Sequence, residues 1–178
     1  NSNGLKDMDV QDDLLYVVSL NGYLETYDIT DPLTPLALSQ VSGLEKPWVP
    51  VVQDTVLLVA DKELGLVTFE LSDPEKPIFI ENNQDGGTLT DVTFSEEHSN
   101  YVYGAAGGDG LAIYLVENGE IIHLDNILYN QPLMSVDSDG TYLWASSHQD
   151  ILFFDISDPA TPVLINAQKT EQWAMTLT

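Results

Sequence analysis

Apolar residues in this chain recur in short runs, and turn-forming residues separate the runs. The first four runs are approximately Met8–Gln11, Leu14–Leu20, Leu24–Ile29 and Leu36–Val41. Runs of this length bounded by Asp, Asn, Gly and Pro are typical of β-strands. Apolar residues nowhere hold the three-and-four spacing of a helix over three turns. We therefore expect essentially no helix.

One turn sequence returns at a regular interval. It reads YDITDPLTP, FELSDPEKP and FDISDPATP in three places. Asp31 and Asp73 stand 42 positions apart, and Asp73 and Asp158 stand 85 apart, close to twice that interval. A degenerate copy, YLVENGEII, lies midway, with Asn118 and Gly119 in place of Asp and Pro. The chain therefore contains four repeats.

Each later repeat carries four comparable strand-like runs. They are Trp48–Gln53, Val56–Ala60, Leu66–Leu71 and Ile78–Glu81; then Leu89–Phe94, Tyr101–Ala105, Leu111–Val116 and Ile121–Leu124; then Met134–Asp137, Tyr142–Ser146, Ile151–Ile156 and Val163–Ala167. Asn21-Gly22 favours a two-residue type I′ hairpin, and Asp-Pro favours a tight turn. Each repeat is therefore predicted to be an antiparallel meander.

A four-stranded unit of about 42 residues, repeated in series, is typical of a β-propeller blade. Parallel β-helix turns are shorter, and solenoids of similar period contain helices. We predict an all-β fold with four complete blades near residues 6–43, 47–82, 88–125 and 132–168. Residues 1–178 would form a single propeller domain or part of one.

The repeats resemble a known family. The run LLVADKELGLVTFELSDPEKP, Leu57–Pro77, is similar to the LVIVD repeat, a β-propeller repeat of bacterial and archaeal proteins. The run YVYGAAGGDGLAIY, Tyr101–Tyr114, matches the first half and lacks the Asp-Pro turn. The resemblance extends over nearly the whole chain. It implies a propeller and an exported, often cell-surface protein, and says little about activity, since propellers host many functions.

The last residues resemble an isolated first strand. WAMTLT, Trp173–Thr178, aligns with WVPVVQ, Trp48–Gln53, so residues 172–178 are predicted to begin a further blade. Exposed strand edges pair with available strands. We expect this chain to be part of a longer propeller. An oligomeric ring that other chains complete and a closed four-blade ring are the alternatives.

The charge limits the classes of partner. The chain has 29 acidic residues against 5 lysines, no arginine, and a formal net charge of −24. Nucleic acids and anionic membrane surfaces are bound through clustered cations, so neither is an expected partner. The absence of cysteine excludes disulfides and thiolate sites. A protein or carbohydrate partner, or the remainder of the propeller, is compatible with this composition.

Three groups of acidic residues are candidates for calcium. They are Asp9, Asp12 and Asp13; the pair Asp137 and Asp139; and Asp109 within the run GGDG. Calcium prefers six to eight oxygen ligands. The DSDG run around the pair begins like an EF-hand loop, but its twelfth position is His148 instead of Glu. Asp and Gly are also ordinary turn residues. We therefore expect no resident cofactor, with calcium as the alternative.

The loops that enter the innermost strands offer candidate binding residues. Trp48 and Trp173 occupy equivalent places. The polar residues around them are Glu45, Lys46, Asp85, Asn130, Gln131 and Gln172. Exposed aromatic residues with a polar rim suit a protein or sugar surface. The alternative is that these tryptophans wedge between blades as core.

No catalytic set is visible. The three histidines are widely separated, and neither H-E-x-x-H nor G-x-S-x-G occurs. We predict a non-enzymatic binding or scaffold module of an exported, extracellular or cell-surface protein. One alternative is an enzyme or metal-binding propeller with a carboxylate site at the channel mouth. Another is a structural subunit of a surface assembly.

Overall fold

The computed structural model describes residues 4–171 of the chain. These residues form sixteen strands in four antiparallel sheets and no helix. Sheet 1 contains β1 (Leu5–Gln11), β2 (Leu14–Ser19), β3 (Tyr23–Asp28) and β4 (Leu36–Ser42). Sheet 2 contains β5 (Pro47–Gln53), β6 (Val56–Asp61), β7 (Gly65–Glu70) and β8 (Ile78–Asn83). Sheet 3 contains β9 (Asp91–Phe94), β10 (Tyr101–Ala105), β11 (Leu111–Glu117) and β12 (Glu120–Ile127), and sheet 4 contains β13 (Leu133–Ser138), β14 (Tyr142–Ser147), β15 (Asp150–Asp155) and β16 (Val163–Lys169).

Each sheet is a meander, because its strands lie side by side in chain order. The predictions of an all-β fold with four repeated four-stranded units and of no helix are therefore confirmed for residues 4–171. No helix in this part of the chain is long and apolar enough to cross a membrane. The strand predicted at Trp173–Thr178 lies outside the described residues.

The hairpin turns differ from the prediction in one place. Gly22 has a φ of 79°, but Asn21 is not among the residues with positive φ, so Asn21-Gly22 is not a type I′ turn. The loop instead has three residues, and the Gly22 N–H donates to the Ser19 carbonyl at 2.9 Å. A turn with both central residues at positive φ occurs at Asn118-Gly119, which joins β11 directly to β12. This two-residue turn replaces the Asp-Pro turn in sheet 3.

The four sheets pack in chain order through their innermost strands. Strand β1 contacts β5, β5 contacts β9, and β9 contacts β13. A separate hydrophobic cluster lies between sheets 1 and 2, between sheets 2 and 3, and between sheets 3 and 4. None of these three clusters joins sheet 4 to sheet 1. The hydrophobic core is therefore divided among successive interfaces of the same kind.

The first interface shows why the alternating pattern produces this packing. Side chains on alternate positions point to opposite faces of a strand. Tyr16, Val18 and Leu24 of sheet 1 are buried against Leu57, Val59 and Phe69 of sheet 2. Full burial of one large apolar side chain contributes about 1.5–3 kcal/mol. The equivalent positions in sheets 2 and 3 are also buried; they are Leu58, Ala60 and Leu66, and Tyr103, Ala105 and Leu111.

A tyrosine hydrogen bond helps to dock one sheet onto the next. The Tyr16 hydroxyl donates to the carbonyl of Pro74, in the Asp-Pro turn of sheet 2, at 3.0 Å. The Tyr103 hydroxyl donates to the carbonyl of Pro159, in the Asp-Pro turn of sheet 4, also at 3.0 Å. Burial raises the pKa of both phenols, so they remain donors. The turns thus stabilise the contacts between sheets as well as the hairpins.

Sheet 2 uses a different residue for the same contact. Its register equivalent of Tyr16 is Leu58, which cannot donate a hydrogen bond. The Thr68 hydroxyl instead donates to the Gly119 carbonyl in sheet 3 at 2.7 Å. This pairing occurs where the Asp-Pro turn is replaced by Asn118-Gly119. The contact between sheets is therefore retained although both residue types have changed.

Some apolar surface remains exposed at sheet 1 and at the outer strands. Met8 is 53% exposed and Val10 is 49% exposed, although both lie on an innermost strand. Every residue of β16 is exposed. The equivalent strand positions in sheets 3 and 4 are buried between sheets. The apolar side chains of β1 in sheet 1 are therefore less covered by neighbouring sheets than the equivalent side chains of β9 and β13 are.

Candidate functional site

Three innermost strands contain an irregularity at the same place. The register shifts at Lys6 in β1, at Trp48 in β5 and at Met134 in β13. In a β-bulge two residues oppose one on the partner strand, which changes the direction of the side chain there. Thr90 occupies the equivalent place immediately before β9, so β9 begins at Asp91 and not at Leu89 as predicted. The irregularity places four different side chains at one end of the innermost strands.

These strands surround a cavity of about 400 Å³. Three register positions supply most of its walls, two of them consecutive and the third two residues further along the strands. The first comprises Lys6, Trp48, Thr90 and Met134; the second Asp7, Val49, Asp91 and Ser135; the third includes Val51, Thr93 and Asp137. The cavity is therefore lined by all four sheets. Its walls combine ammonium, carboxylate, hydroxyl, indole and apolar groups, which suits a ligand with several kinds of polar group.

Two lysines contact the ring of Trp48, and one of them, Lys6, also lines the cavity. The Nζ atoms of Lys6 and Lys62 each stand 3.2 Å from the centre of the Trp48 ring. An ammonium over an indole face is attracted by the ring quadrupole. Burial lowers the pKa of Lys62, and the charges of Lys6 and Lys46 lower it further. The structure thus brings three of the five lysines of the chain into one neighbourhood.

A buried carboxylate holds the loop that precedes Trp48. Asp61 is fully buried. Its oxygens accept hydrogen bonds from the backbone N–H groups of Glu45 at 2.9 Å, Lys46 at 3.0 Å, Glu63 at 2.9 Å and Leu64 at 3.1 Å. One side chain therefore fastens the loop into β5 to the hairpin between β6 and β7. The exposed ion pair of Lys46 with Glu63 joins the same two segments and adds little energy.

Asp91 is a carboxyl group of the cavity wall whose pKa is strongly raised. Its Oδ2 accepts hydrogen bonds from the Ser135 hydroxyl and, at 3.0 Å, from the Val136 N–H. Burial raises the pKa of Asp91 to about 6; the hydrogen bonds oppose that rise, and the nearby Asp7 charge adds to it. A carboxyl with such a pKa exchanges its proton near neutral pH. The ionised form can accept a hydrogen bond from a ligand, and the protonated form can donate one to it.

Side chains also connect neighbouring innermost strands. The Thr90 hydroxyl lies 3.0 Å from the Met134 carbonyl, to which it donates. The Asp9 carboxylate accepts the Val52 N–H at 2.8 Å. These bonds satisfy backbone groups at strand edges that face no further strand. The wall of the cavity is therefore held in place by hydrogen bonds across the sheets.

The predicted binding residues are dispersed relative to this cavity. Trp48 lines it, and Glu45 and Lys46 are exposed on the adjoining loop. Asp85 and Asn130 are exposed, and neither lines the cavity. Gln172 and Trp173 lie outside the described residues.

Gln131 has a structural contact. Its side-chain amide donates to the Asp150 carboxylate at 3.0 Å, and the Tyr129 hydroxyl donates to the same oxygen at 3.1 Å. Gln131 therefore belongs to a polar cluster beside sheet 4.

Sequence reasoning missed Lys6, Lys62, Thr90 and Asp91. Lys6 and Thr90 could have been found by aligning the innermost strands, since they occupy the same position as Trp48. Asp91 is the next residue after Thr90, so the same alignment would have identified it. Lys62 has no such signal, because it reaches Trp48 from the hairpin after β6.

The acidic residues considered for calcium serve local turns and strands. Asp12 has a φ of 54° in the β1–β2 turn. Asp139 accepts the N–H groups of Thr141 at 3.0 Å and Tyr142 at 2.8 Å. Among residues 4–171 no three His, Asp or Glu side chains are grouped so that they could hold a metal ion. The structure does not bring Asp9, Asp12 and Asp13, or Asp137 and Asp139, together as a ligand set.

Comparison with known proteins shows similarity in fold only. No family model matches the chain, and no curated protein matches it, so the resemblance to the LVIVD repeat stays a prediction. A protein of unknown function from Desulfotomaculum acetoxidans DSM 771 matches with a TM-score of 0.79 at 14% identity, over 96% of this chain and 57% of that one. A protein from Lactobacillus plantarum matches with a TM-score of 0.75 at 16% identity, over 94% of this chain and 58% of that one. The computationally designed protein Ika4 matches with a TM-score of 0.65 at 12% identity, over 92% and 91%.

Proposed function

We propose that the four sheets are blades of a β-propeller, and that the chain is a non-enzymatic module that binds a ligand in the cavity between its innermost strands. The observation that carries this proposal is the cavity itself, to which all four sheets contribute. Ligand sites of proteins are typically concave and of this volume.

The packing of the sheets supports a propeller. Successive sheets meet in chain order through their innermost strands, as radial repetition requires. The chain spans 57% of the length of the Desulfotomaculum acetoxidans protein that it matches. If four sheets match 57% of that protein, its whole length has room for about seven sheets of the same size. That number lies within the usual range of four to eight blades. We therefore favour an arc of a larger ring over a closed four-blade ring.

The differences among the repeats support a ligand site. The Asp-Pro turn recurs in three sheets, where the carboxylate of its Asp accepts a turn N–H, as Asp31 does from Leu33 at 3.1 Å and Asp73 from Glu75 at 3.2 Å. At the first register position of the cavity, the four sheets instead carry four different residue types: Lys6, Trp48, Thr90 and Met134. Residues that every repeat needs for folding should recur, whereas residues that contact one ligand should not. The divergence is therefore concentrated where we place the site.

The partner is a carbohydrate or a protein outside the cell. A net charge of −24 disfavours polyanions, and the cavity offers hydrogen-bonding groups beside an indole. Export to the cell surface follows from the family resemblance and agrees with an acidic surface. The exposed apolar residues of sheet 1 also suit the alternative role as a subunit of a surface assembly.

Binding to a glycan array and to immobilised surface proteins tests this proposal. Thr93→Trp and the milder Thr93→Met both reduce the cavity volume and should abolish binding. Leu33→Trp is the matched control, since Leu33 is 90% exposed in an outer turn. Circular dichroism and a thermal melt establish that each variant is folded. Equal binding by wild type, both Thr93 variants and the control would show that the cavity is not the site.

An enzyme is the second candidate, and Asp91 is the observation in its favour. A carboxyl with a pKa of about 6 is suited to general acid or base catalysis near neutral pH. If the module is an enzyme, Asp91→Asn should abolish turnover of a bound ligand while leaving its binding largely unchanged. A ligand that is recovered chemically intact after long incubation with the wild type contradicts the enzymatic alternative.

A further inference from the structure

Three carboxyl groups line the cavity without a cation paired to them. Asp7 lies on β1, Asp91 on β9 and Asp137 on β13. No ion pair within residues 4–171 involves any of them. The cavity wall contains one lysine, Lys6, and its ammonium group lies 3.2 Å from the centre of the Trp48 ring. With three acids against one ammonium group, the wall carries an excess of negative charge.

Two of these carboxylates have an oxygen that is available to a ligand. One oxygen of Asp7 accepts the Met8 N–H at 2.9 Å, and one oxygen of Asp137 accepts the Ser138 N–H, also at 2.9 Å. The other oxygen of each accepts no hydrogen bond from residues 4–171. Hydrogen bonds to a charged acceptor are among the stronger ones in proteins. A ligand that donates hydrogen bonds would therefore gain most at these two oxygens.

Asp7 and Asp91 lie close enough for one charge to affect the other. Both occupy the second register position of the cavity wall, on sheets 1 and 3. Burial raises the pKa of Asp91, and the negative charge of Asp7 adds to that rise. An ammonium group beside the two carboxyls would offset this repulsion. Among residues 4–171 no three acids are grouped so that they could hold a metal ion, so the charge fits an organic cation.

The remaining polar groups of the wall fit hydroxyl groups. Asp137 and Thr93 lie at the third register position, about 6–7 Å further along the strands than the second. A hydroxyl group can donate to the oxygens of both side chains. A simple alkylamine, or the side chain of a lysine, would displace water from them without replacing its hydrogen bonds. The ligand should therefore carry an ammonium group at one end and hydroxyl groups at the other.

We infer that the cavity binds an amino sugar, with its ammonium group beside Asp7 and Asp91 and its hydroxyl groups on Asp137 and Thr93. This inference rests on the proposed binding function and names the class of ligand. The cavity of about 400 Å³ corresponds to roughly a dozen waters at about 30 Å³ each, enough for one sugar ring with its substituents. The net charge of −24 also attracts a cationic ligand from solution.

Calorimetric titration of the protein with four small molecules at neutral pH tests the inference. Glucosamine carries the ammonium group and the hydroxyls. Glucose and N-acetylglucosamine lack the charge, and cyclohexylamine carries the charge on a six-membered ring without hydroxyls. We expect glucosamine to bind at least about tenfold more tightly than each of the other three, which is within the range of one charge-assisted hydrogen bond. A glucosamine oligosaccharide, compared with free glucosamine, shows whether the natural source is a chain or a free amino sugar.

Single substitutions of the acids locate the two ends of the ligand. Asp7→Asn should weaken glucosamine binding about tenfold and leave glucose binding unchanged, whereas Asp137→Ala should weaken the binding of both sugars. Asp125→Asn is the matched control, because Asp125 is exposed on β12 and accepts the N–H of the next residue, Asn126, at 2.8 Å. Asp91 is left unchanged, since it also accepts the hydrogen bonds that join sheets 3 and 4. A thermal melt establishes that each variant is folded.

Substitutions of the lysines test the sign of the ligand charge. Lys6→Met removes a positive charge from the cavity wall and should strengthen glucosamine binding. Lys62→Met is its matched control, because Lys62 contacts the same indole ring of Trp48 but does not line the cavity. Its affinity should stay close to that of the wild type. Weaker binding of glucosamine by Lys6→Met than by Lys62→Met would contradict a cationic ligand.

Three further outcomes would overturn the inference and leave the binding module in place. Equal binding of glucosamine and either uncharged sugar would remove the ammonium group from recognition. Equal binding of glucosamine and cyclohexylamine would remove the sugar. Affinities of Asp7→Asn and Asp137→Ala equal to that of Asp125→Asn would show that these acids do not contact the ligand. Absence of binding by all four molecules, with none on the glycan and protein arrays, overturns both the inference and the proposed function.

Discussion

Asp61→Ala tests whether a buried carboxylate organises the loop beside the cavity. The substitution removes the acceptor for four backbone N–H groups, those of Glu45, Lys46, Glu63 and Leu64. Hydrogen bonds to a charged group contribute about 1.5–3 kcal/mol each, but water reaches the exposed parts of this loop and replaces some of them. We expect a net loss of about 3 kcal/mol in the free energy of unfolding. For a chain of this size that loss lowers the melting temperature by about 6–12 °C.

Urea denaturation followed by tryptophan fluorescence measures the effect. Asp61→Asn should restore little of the loss, because its amide group would place N–H donors against the backbone N–H groups. Asp73→Ala is the comparison, since Asp73 is an exposed turn residue with one backbone hydrogen bond and one lysine contact. The reasoning would be refuted if the free energy of unfolding of Asp61→Ala lay within about 0.5 kcal/mol of the wild-type value. It would also be refuted if Asp61→Ala were no less stable than Asp73→Ala.

Four further predictions concern pH, turns, salt and association. The pKa of Asp91 is raised to about 6 in the folded state, so the folded protein binds the Asp91 proton more tightly than the unfolded chain does. This contribution to stability is present in full below about pH 4 and is lost as the pH rises through about 6. Asp91→Asn should remove this pH dependence from thermal melts recorded across the pH range. Asp73→Ala should lower the melting temperature without changing ligand affinity, because it removes a hydrogen bond within the turn. Weakened binding at unchanged stability would contradict its assignment as a turn residue. The melting temperature should rise with sodium chloride up to about 1 M, because the screening length falls to about 3 Å and the carboxylates repel each other less; an unchanged melting temperature contradicts this. Calcium at matched ionic strength should raise the melting temperature little more than sodium does, and a saturable rise with calcium would indicate a bound ion. Light scattering should show self-association that Met8→Glu suppresses, because Met8 is 53% exposed on sheet 1, and a monomer at every concentration would oppose it.

The fold was largely predictable because its determinants are local. Strand runs, turn residues and the repeat interval are all read within one repeat, and the structure has four four-stranded sheets at those places. The exception is also instructive. Asn21-Gly22 was expected to form a type I′ turn, but the conformation depends on where the flanking strands stop pairing, and β2 ends at Ser19. Hairpin register, which involves both strands, decided the turn type.

The site was only partly predictable, for a physical reason. Trp48 was identified because its position in the repeat could be aligned. The chain by itself determined the number of sheets, the order of their strands and the acidity of their surface, since these depend on composition and on residues a few positions apart. Only the tertiary structure placed Lys6 of sheet 1 over Trp48 of sheet 2. It also joined Asp91 to Ser135, which stand 44 positions apart in the chain. Such contacts depend on how successive sheets dock, and docking sets distance, burial and the pKa of a carboxyl, none of which a repeat pattern specifies.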